Sequence, residues 1–195
     1  MSIQCVALGA VPGRFPLLGE PLPLDLINTA PSLGDLLQTP DDLRAWCTAQ
    51  AHRLPELGAD IDVADVSAVR AIRAHIASAL ERAHRGQRPR QLDLHALEDA
   101  QRGAPAITRL RWEDSGVTAA RQRTGTPGQR LAAELAEATA HLLADPAVTT
   151  IRQCDAHDCV IWFLPTNPRR RWCSAALCGN RMRVARHYQR HKAGK

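Results

Sequence analysis

Cys154-Asp155-Ala156-His157-Asp158-Cys159 and, 13 residues further on, Cys173-Ser174-Ala175-Ala176-Leu177-Cys178 decide how the C-terminal part of this chain folds. Two cysteine pairs with one spacing present four sulfurs from two short loops. Four thiolates complete a tetrahedral Zn2+ shell and leave no position for water or substrate, so a site of this kind is structural. The residues between the pairs suit a knuckle, a returning strand and a helix that carries the fourth ligand. His187 and His191 have the His-x3-His spacing of another zinc pattern and are the alternative partners of Cys173 and Cys178. Four cysteines is the preferred set, because Cys154 and Cys159 would otherwise be an unexplained pair.

Working outward, the chain of 195 residues with 45% hydrophobic content suffices for one ordinary core and a small appendage. The apolar run from Val6 to Val11 lacks a basic flank and meets Pro12-Gly13-Arg14, so neither a signal peptide nor a membrane anchor is expected. The expected location is the cytoplasm, without membrane association. In that reducing compartment the paired cysteines hold metal and not disulfides, which leaves Cys5 and Cys47 as lone thiols that behave as small buried hydrophobes.

Charge divides unevenly along the sequence. After Cys159 there are nine Lys or Arg and no Asp or Glu, while residues 1–158 carry 16 basic against 20 acidic residues, a net −4. An acidic body with a basic tip points to a polyanionic partner, the plainer alternative being a solubilising tail. Candidate phosphate contacts are Arg169, Arg170, Arg171, Arg181, Arg183, Arg186, Arg190 and Lys192.

The body reads as α+β and predominantly helical. Proline-rich sequence from Phe15 gives way to a regular element near Leu24. Thr39-Pro40-Asp41-Asp42 is a helix start, with a helix expected over 40–52 and Leu43, Trp46 and Cys47 as its core stripe. Val66, Val69, Ile72, Ile76 and Leu80 mark a helix over 63–84, on which Arg70, Arg73 and Arg82 are expected to face solvent. Leu92, Leu94 and Leu97 begin a further apolar element. Partial alternation on either side of Glu113-Asp114-Ser115-Gly116 predicts a β-hairpin within 106–124. Leu131, Leu135, Leu142 and Leu143 then define a helix over 129–144. The expected domains are residues 1–145, α+β, and residues 146–195, a treble-type zinc finger.

Within the finger, Ile151 to Cys154 and Val160 to Leu164 suit the strands flanking the first knuckle, with Trp162 and Phe163 as core between the metal and the body. A helix beginning near Ala175 sets Arg183, Arg186 and Arg190 on one face and Val184 and Tyr188 on another. Asp25, Asn28 and Thr29 are candidates for a ligand pocket, although Asn28 and Thr29 serve equally well as caps.

Cys178-Gly179-Asn180-Arg181, with Cys154-x4-Cys159, Phe163, the Arg169 to Arg171 run and Arg171-Trp172-Cys173-Ser174, resembles the CGNR zinc-finger proteins. The stretch from Gly19 to Thr29, with Thr39-Pro40-x2-Leu43-x2-Trp46, resembles the ABATE domain that precedes this finger in bacterial stress-induced transcription regulators. The resemblance implies a DNA-binding finger and leaves the duty of the body open; the preferred reading has one structural zinc ion in the finger and a body that senses a small-molecule effector or assembles subunits, for instance as a homodimer. An RNA-binding or protein-docking module is the alternative. The acidic knuckle Asp155 to Asp158 is a departure that sets that loop against phosphate contact. No nucleophile elbow, P-loop, dinucleotide fingerprint or His-Glu-x2-His motif occurs, so an enzyme is not expected.

Overall fold

The computed structural model describes residues 15–16, 19–31, 34–56, 58 and 60–193, without the side chains of Leu177, Arg186 and residues 188–193. Cys5 lies outside the described residues. Its elements in chain order are α1 (Leu22–Ile27), α2 (Pro40–Ala49), α3 (Val63–Ala83), α4 (Gln91–Gly103), the hairpin β1 (Ala106–Glu113) and β2 (Gly116–Arg123), and α5 (Pro127–Ala144). A 3-10 turn (Pro146–Thr150) leads to β3 (Arg152–Gln153), β4 (Trp162–Phe163), a π turn (Ala175–Gly179) and α6 (Asn180–Ala193). The architecture is α+β, largely helical, with two small antiparallel hairpins and a C-terminal cysteine cluster.

Three helices begin with reciprocal caps: Thr39 with Asp42, Asp62 with Asp65, and Thr126 with Gln129. Each satisfies two N–H groups that have no partner within the helix, fixing where the helix starts. Val66, Val69, Ile72, Ile76 and Leu80 of α3 and Leu131, Leu135 and Leu142 of α5 meet in the core beside Leu24, Leu26, Leu43 and Trp46. The first turns of α3 and α5 are also joined. Asp65 Oδ1 accepts from Thr126 Oγ1 at 2.7 Å and from the Gly128 N–H at 2.8 Å. A Cβ on Gly128 would lie 2.4 Å from Asp65 Cα, so only glycine permits this approach.

Several elements differ from the sequence expectation. The α1 helix starts at Leu22, two residues early, because the Pro21 carbonyl already accepts from the Leu24 N–H. The α2 helix stops at Ala49 and not His52, as Gln50 and Arg53 turn back to Asp25. Cys47 is half-buried, and burial pushes its thiol up to about 12. Arg73, expected in solvent, is 7% exposed and ion-paired with Asp35, with a further bond of 2.8 Å to Thr29 Oγ1. Its partners come from the loop after α1, and Asp62 and Asp65 are occupied as caps.

The hairpin register pairs Trp112 with Val117 and Leu110 with Ala119 across the two-residue turn Asp114-Ser115. All of β1 is exposed. At its base Arg121 and Arg123 reach Glu134 and Glu137 of α5.

Candidate metal centre and nucleic-acid surface

The two knuckles fold back to back. The Cys154 N–H donates to the Ile161 carbonyl at 2.9 Å and the Cys159 N–H to the Ala156 carbonyl at 3.0 Å, closing the first loop. Asp158 takes φ 63°, a left-handed conformation that a short aspartate tolerates at the loop's end. In the second loop the Gly179 N–H donates to the Ser174 carbonyl at 2.9 Å. A side chain on Gly179 would meet the Trp172 indole at 3.1 Å, so the indole lies directly against this glycine.

The sulfurs of Cys154, Cys159, Cys173 and Cys178 lie within 4.8 Å of one another, and all four residues are buried. Cys159 and Cys173 sulfurs are 3.9 Å apart and Cys173 and Cys178 sulfurs 3.5 Å. A tetrahedral Zn2+ with bonds of about 2.3 Å places its sulfurs about 3.8 Å apart, so the cluster has the right dimensions for one ion. The spacing far exceeds the roughly 2 Å of a disulfide. Among protons alone the thiols compete. Hydrogen bonds from Cys159 and Cys173 pull the Cys154 thiol well down, while the same contact with Cys154 pushes the Cys159 thiol up. A divalent cation removes that conflict by stabilising every thiolate at once. His187 is exposed and stands outside the cluster, and the side chain of His191 lies outside the described residues.

Below the metal site, β4 alternates between two cores. Phe163 is fully buried among the cysteines, whereas Trp162 and Leu164 pack against the body. The Trp162 ring meets His84 edge-on at 5.0 Å. Both aromatics are therefore core, as expected, but of different units.

Polar groups close the seam. Asn28 Nδ2 donates to the Trp162 carbonyl at 2.9 Å and Asn28 Oδ1 accepts from the Trp162 N–H at 2.8 Å. Glu20, 5% exposed, accepts from the Leu164 N–H and from Arg170, each at 2.8 Å. Of the three candidate pocket residues, Asn28 lines a cleft of about 340 Å3 at this seam, with Arg70, Arg73, Gln153 and Trp162. Asp25 is instead buried against Gln50 and Arg53, and Thr29 donates to the Leu26 carbonyl and accepts from Arg73. Glu20 was not singled out by its sequence. The signal was an acid set between Gly19 and Pro21 in an otherwise apolar stretch.

The candidate cationic residues separate into groups. Arg170 lies 4.4 Å over the Phe163 ring and donates to the Cys173 carbonyl at 2.6 Å, so it serves the fold. Arg181 donates to the His157 carbonyl at 2.9 Å, tying the second knuckle to the first. Arg171 pairs with Asp155 at 2.8 Å and lies over Trp172, which neutralises one acid of the first knuckle. Arg169 and Arg183 are exposed, while the side chains of Arg186, Arg190 and Lys192 lie outside the described residues. Arg152, not a candidate, donates to the Pro168 and Arg170 carbonyls and braces the basic loop.

The body and the four-cysteine finger, which meet through Glu20 and Asn28, fall in two stretches that each match a known family. Residues 20–146 match the ABATE family, described as "Putative stress-induced transcription regulator". The chain belongs to the ABATE family. Residues 150–191 match the CGNR zinc finger, which agrees with one structural zinc held by the four cysteines. No curated protein matches the chain. Among the described residues of this ABATE protein, no helix is long and apolar enough to cross a membrane.

Proposed function

We propose that the protein is a DNA-binding transcription regulator, in which the CGNR finger grips duplex DNA and the ABATE body sets the finger's orientation. The observation that carries this reading is α6. It follows the fourth cysteine, carries Arg181, Arg183, Arg186, Arg190 and Lys192 with no acidic residue, and finds its main contacts in the π turn before it. A helix of this kind, fixed at one end by a rigid metal site, fits the major groove and meets phosphates on either side. The knuckle acids that would repel phosphate have local partners, Asp155 in Arg171 and Asp158 in His157.

In this reading the role of the body is to hold the finger. A small molecule entering the seam cleft would touch both units at once, which gives an effector a direct route to the finger.

The test is binding to duplex DNA as a function of salt. With Arg169, Arg183, Arg186 and Arg190 on phosphates, log K falls against log salt with a slope of roughly −3 to −4. Changing Arg183, Arg186 and Arg190 together to Gln keeps zinc and fold and flattens the slope by about three. Unchanged affinity in that folded variant overturns the reading, as does a preference for single-stranded RNA at matched salt.

A further inference from the structure

The acid-rich body has one corner of opposite charge. Residues 82–90 hold Arg82, Arg85, Arg88 and Arg90 and no Asp or Glu, which leaves the rest of residues 1–158 with 12 basic against 20 acidic residues. These four arginines lie at the end of α3 and on the turn into α4, and the turn is well fixed. The Gly86 N–H donates to the Ala83 carbonyl at 2.9 Å and the Gln87 N–H to the Arg82 carbonyl at 3.0 Å, with Gly86 in the left-handed conformation at φ 68°. That pair of bonds is the usual closure of a helix by glycine. Arg82 Nε donates across the turn to the Arg88 carbonyl at 2.7 Å, and Arg90 is committed to the buried Asp93. Both therefore serve the fold.

Arg85 and Arg88 remain, and both are exposed. Arg85 pairs with Glu81, but the two side chains are 55% and 52% exposed, so solvent screens the pair and a phosphate can take the carboxylate's place. Arg88 has a 3.4 Å bond to Gln91 and no acidic partner among the described residues.

The turn also adjoins the finger. His84, immediately before Arg85, sets its ring 5.0 Å from that of Trp162 in β4. Trp162 pairs with Gln153 of β3, and the next residue of β3, Arg152, supports the loop of Arg169 through the Pro168 and Arg170 carbonyls. Summed along this path, Arg88 and β3 are at most about 35 Å apart, one helical turn of duplex. Asn28 and Glu20 fasten the same seam, so the turn and the finger present their charges as one unit.

We propose that the α3–α4 turn is a second phosphate contact, made by the body through Arg85 and Arg88 on the duplex that the finger holds; it rests on the DNA-binding reading above. Residues 82–90 contain no Phe, Trp or Tyr, so the turn offers single-stranded bases nothing to stack on. Two guanidinium groups on a fixed turn suit contacts to the backbone, which position a protein without reading sequence. Arg109 and Arg111 supply the comparison. They too are exposed and lack an acidic partner among the described residues, but they stand on the hairpin, beside Glu113 and Asp114.

The experiment is binding of the full zinc-loaded chain to a short duplex across a range of salt. Changing Arg85 and Arg88 together to Gln keeps zinc content and thermal midpoint, flattens the slope of log K against log salt by about two, and weakens binding roughly 10- to 30-fold at physiological salt. Arg88→Gln alone gives about half of that change in slope. Changing Arg109 and Arg111 together to Gln removes the same charge elsewhere on the body and alters neither quantity. An unaltered slope in the Arg85 and Arg88 variant, while the variant of Arg183, Arg186 and Arg190 binds more weakly, overturns this contact and leaves the finger reading standing. An equal effect of the hairpin variant also overturns it, since binding would then respond to net charge and not to place. A full chain that binds no duplex overturns the finger reading, and this contact with it.

Discussion

Asn28 and Trp162 exchange two hydrogen bonds, 2.9 and 2.8 Å long, between the side-chain amide of one and the main chain of the other. The carboxamide supplies what a neighbouring strand would supply, a donor and an acceptor side by side. It thereby caps the open edge of β4 and fastens the finger to the end of α1. Glu20 extends the pattern by accepting from Leu164, two residues along.

This relationship predicts that Asn28→Asp is worse than its size implies. Aspartate has no donor for the Trp162 carbonyl, and leaving a partly buried group unpaired costs about 1 to 3 kcal/mol. The expected result is faster amide exchange at Trp162 and Leu164 with the body helices still protected. Unaltered exchange at those two amides would remove Asn28 from the seam.

Zinc is expected at one ion per chain by metal analysis of protein purified without chelator. Binding free energy in such modules is on the order of 10 kcal/mol, and it is folding free energy. Cys178→Ser therefore unfolds the finger. The body keeps its helical signal, since its core is built from α1 to α5 and the 3-10 turn. A full complement of zinc bound by His187 or His191 in place of a cysteine would contradict the assignment.

Neighbouring arginines are expected to behave differently. Arg170 bonds to Glu20, to the Trp172 and Cys173 carbonyls and to the Phe163 ring, so Arg170→Gln loosens zinc and lowers stability by about 2 to 4 kcal/mol. Arg169→Gln leaves zinc affinity and thermal midpoint unchanged and acts only on nucleic-acid binding. Equal thermal midpoints for the two variants would refute this division.

The parts legible in the sequence are those whose physics is local. The Thr39-Pro40 cap marked the start of α2, apolar spacing placed α3, the Asp114-Ser115 turn marked the hairpin, and the two matched cysteine pairs marked the metal site, whereas α5 starts at Pro127, two residues before the expected Gln129, because Thr126 caps it. What escaped are partners distant in sequence. Arg73 looks like any arginine on a helix until Asp35 is brought beneath it, and Arg170 looks like one of three equivalent cations until Glu20 arrives from the other end of the chain. A helical period reports which face is apolar, but not which charged residue on the remaining face has a buried partner.

Asp93 provides the pH test. Its side chain is fully buried at the start of α4 and receives hydrogen bonds from Arg90 and from Ser78 of α3, with His75 of α3 at 2.9 Å. Burial alone would raise its pKa, but the bonds from Arg90, Ser78 and His75 outweigh that and hold the carboxyl at about 2. The unfolded chain has the ordinary value near 3.9, so on acidification it takes up the proton first. Asp93 thus contributes about 2 to 3 kcal/mol that is fully present above roughly pH 4 and is lost as pH falls toward 2. Asp93→Asn, which cannot ionise, is expected to lower stability by about that amount at neutral pH and to differ little from the wild type near pH 2. Denaturant midpoints of the two proteins at several pH values decide the matter: a gap between them that stays constant through the acid range would show that Asp93 acts by shape and not by charge.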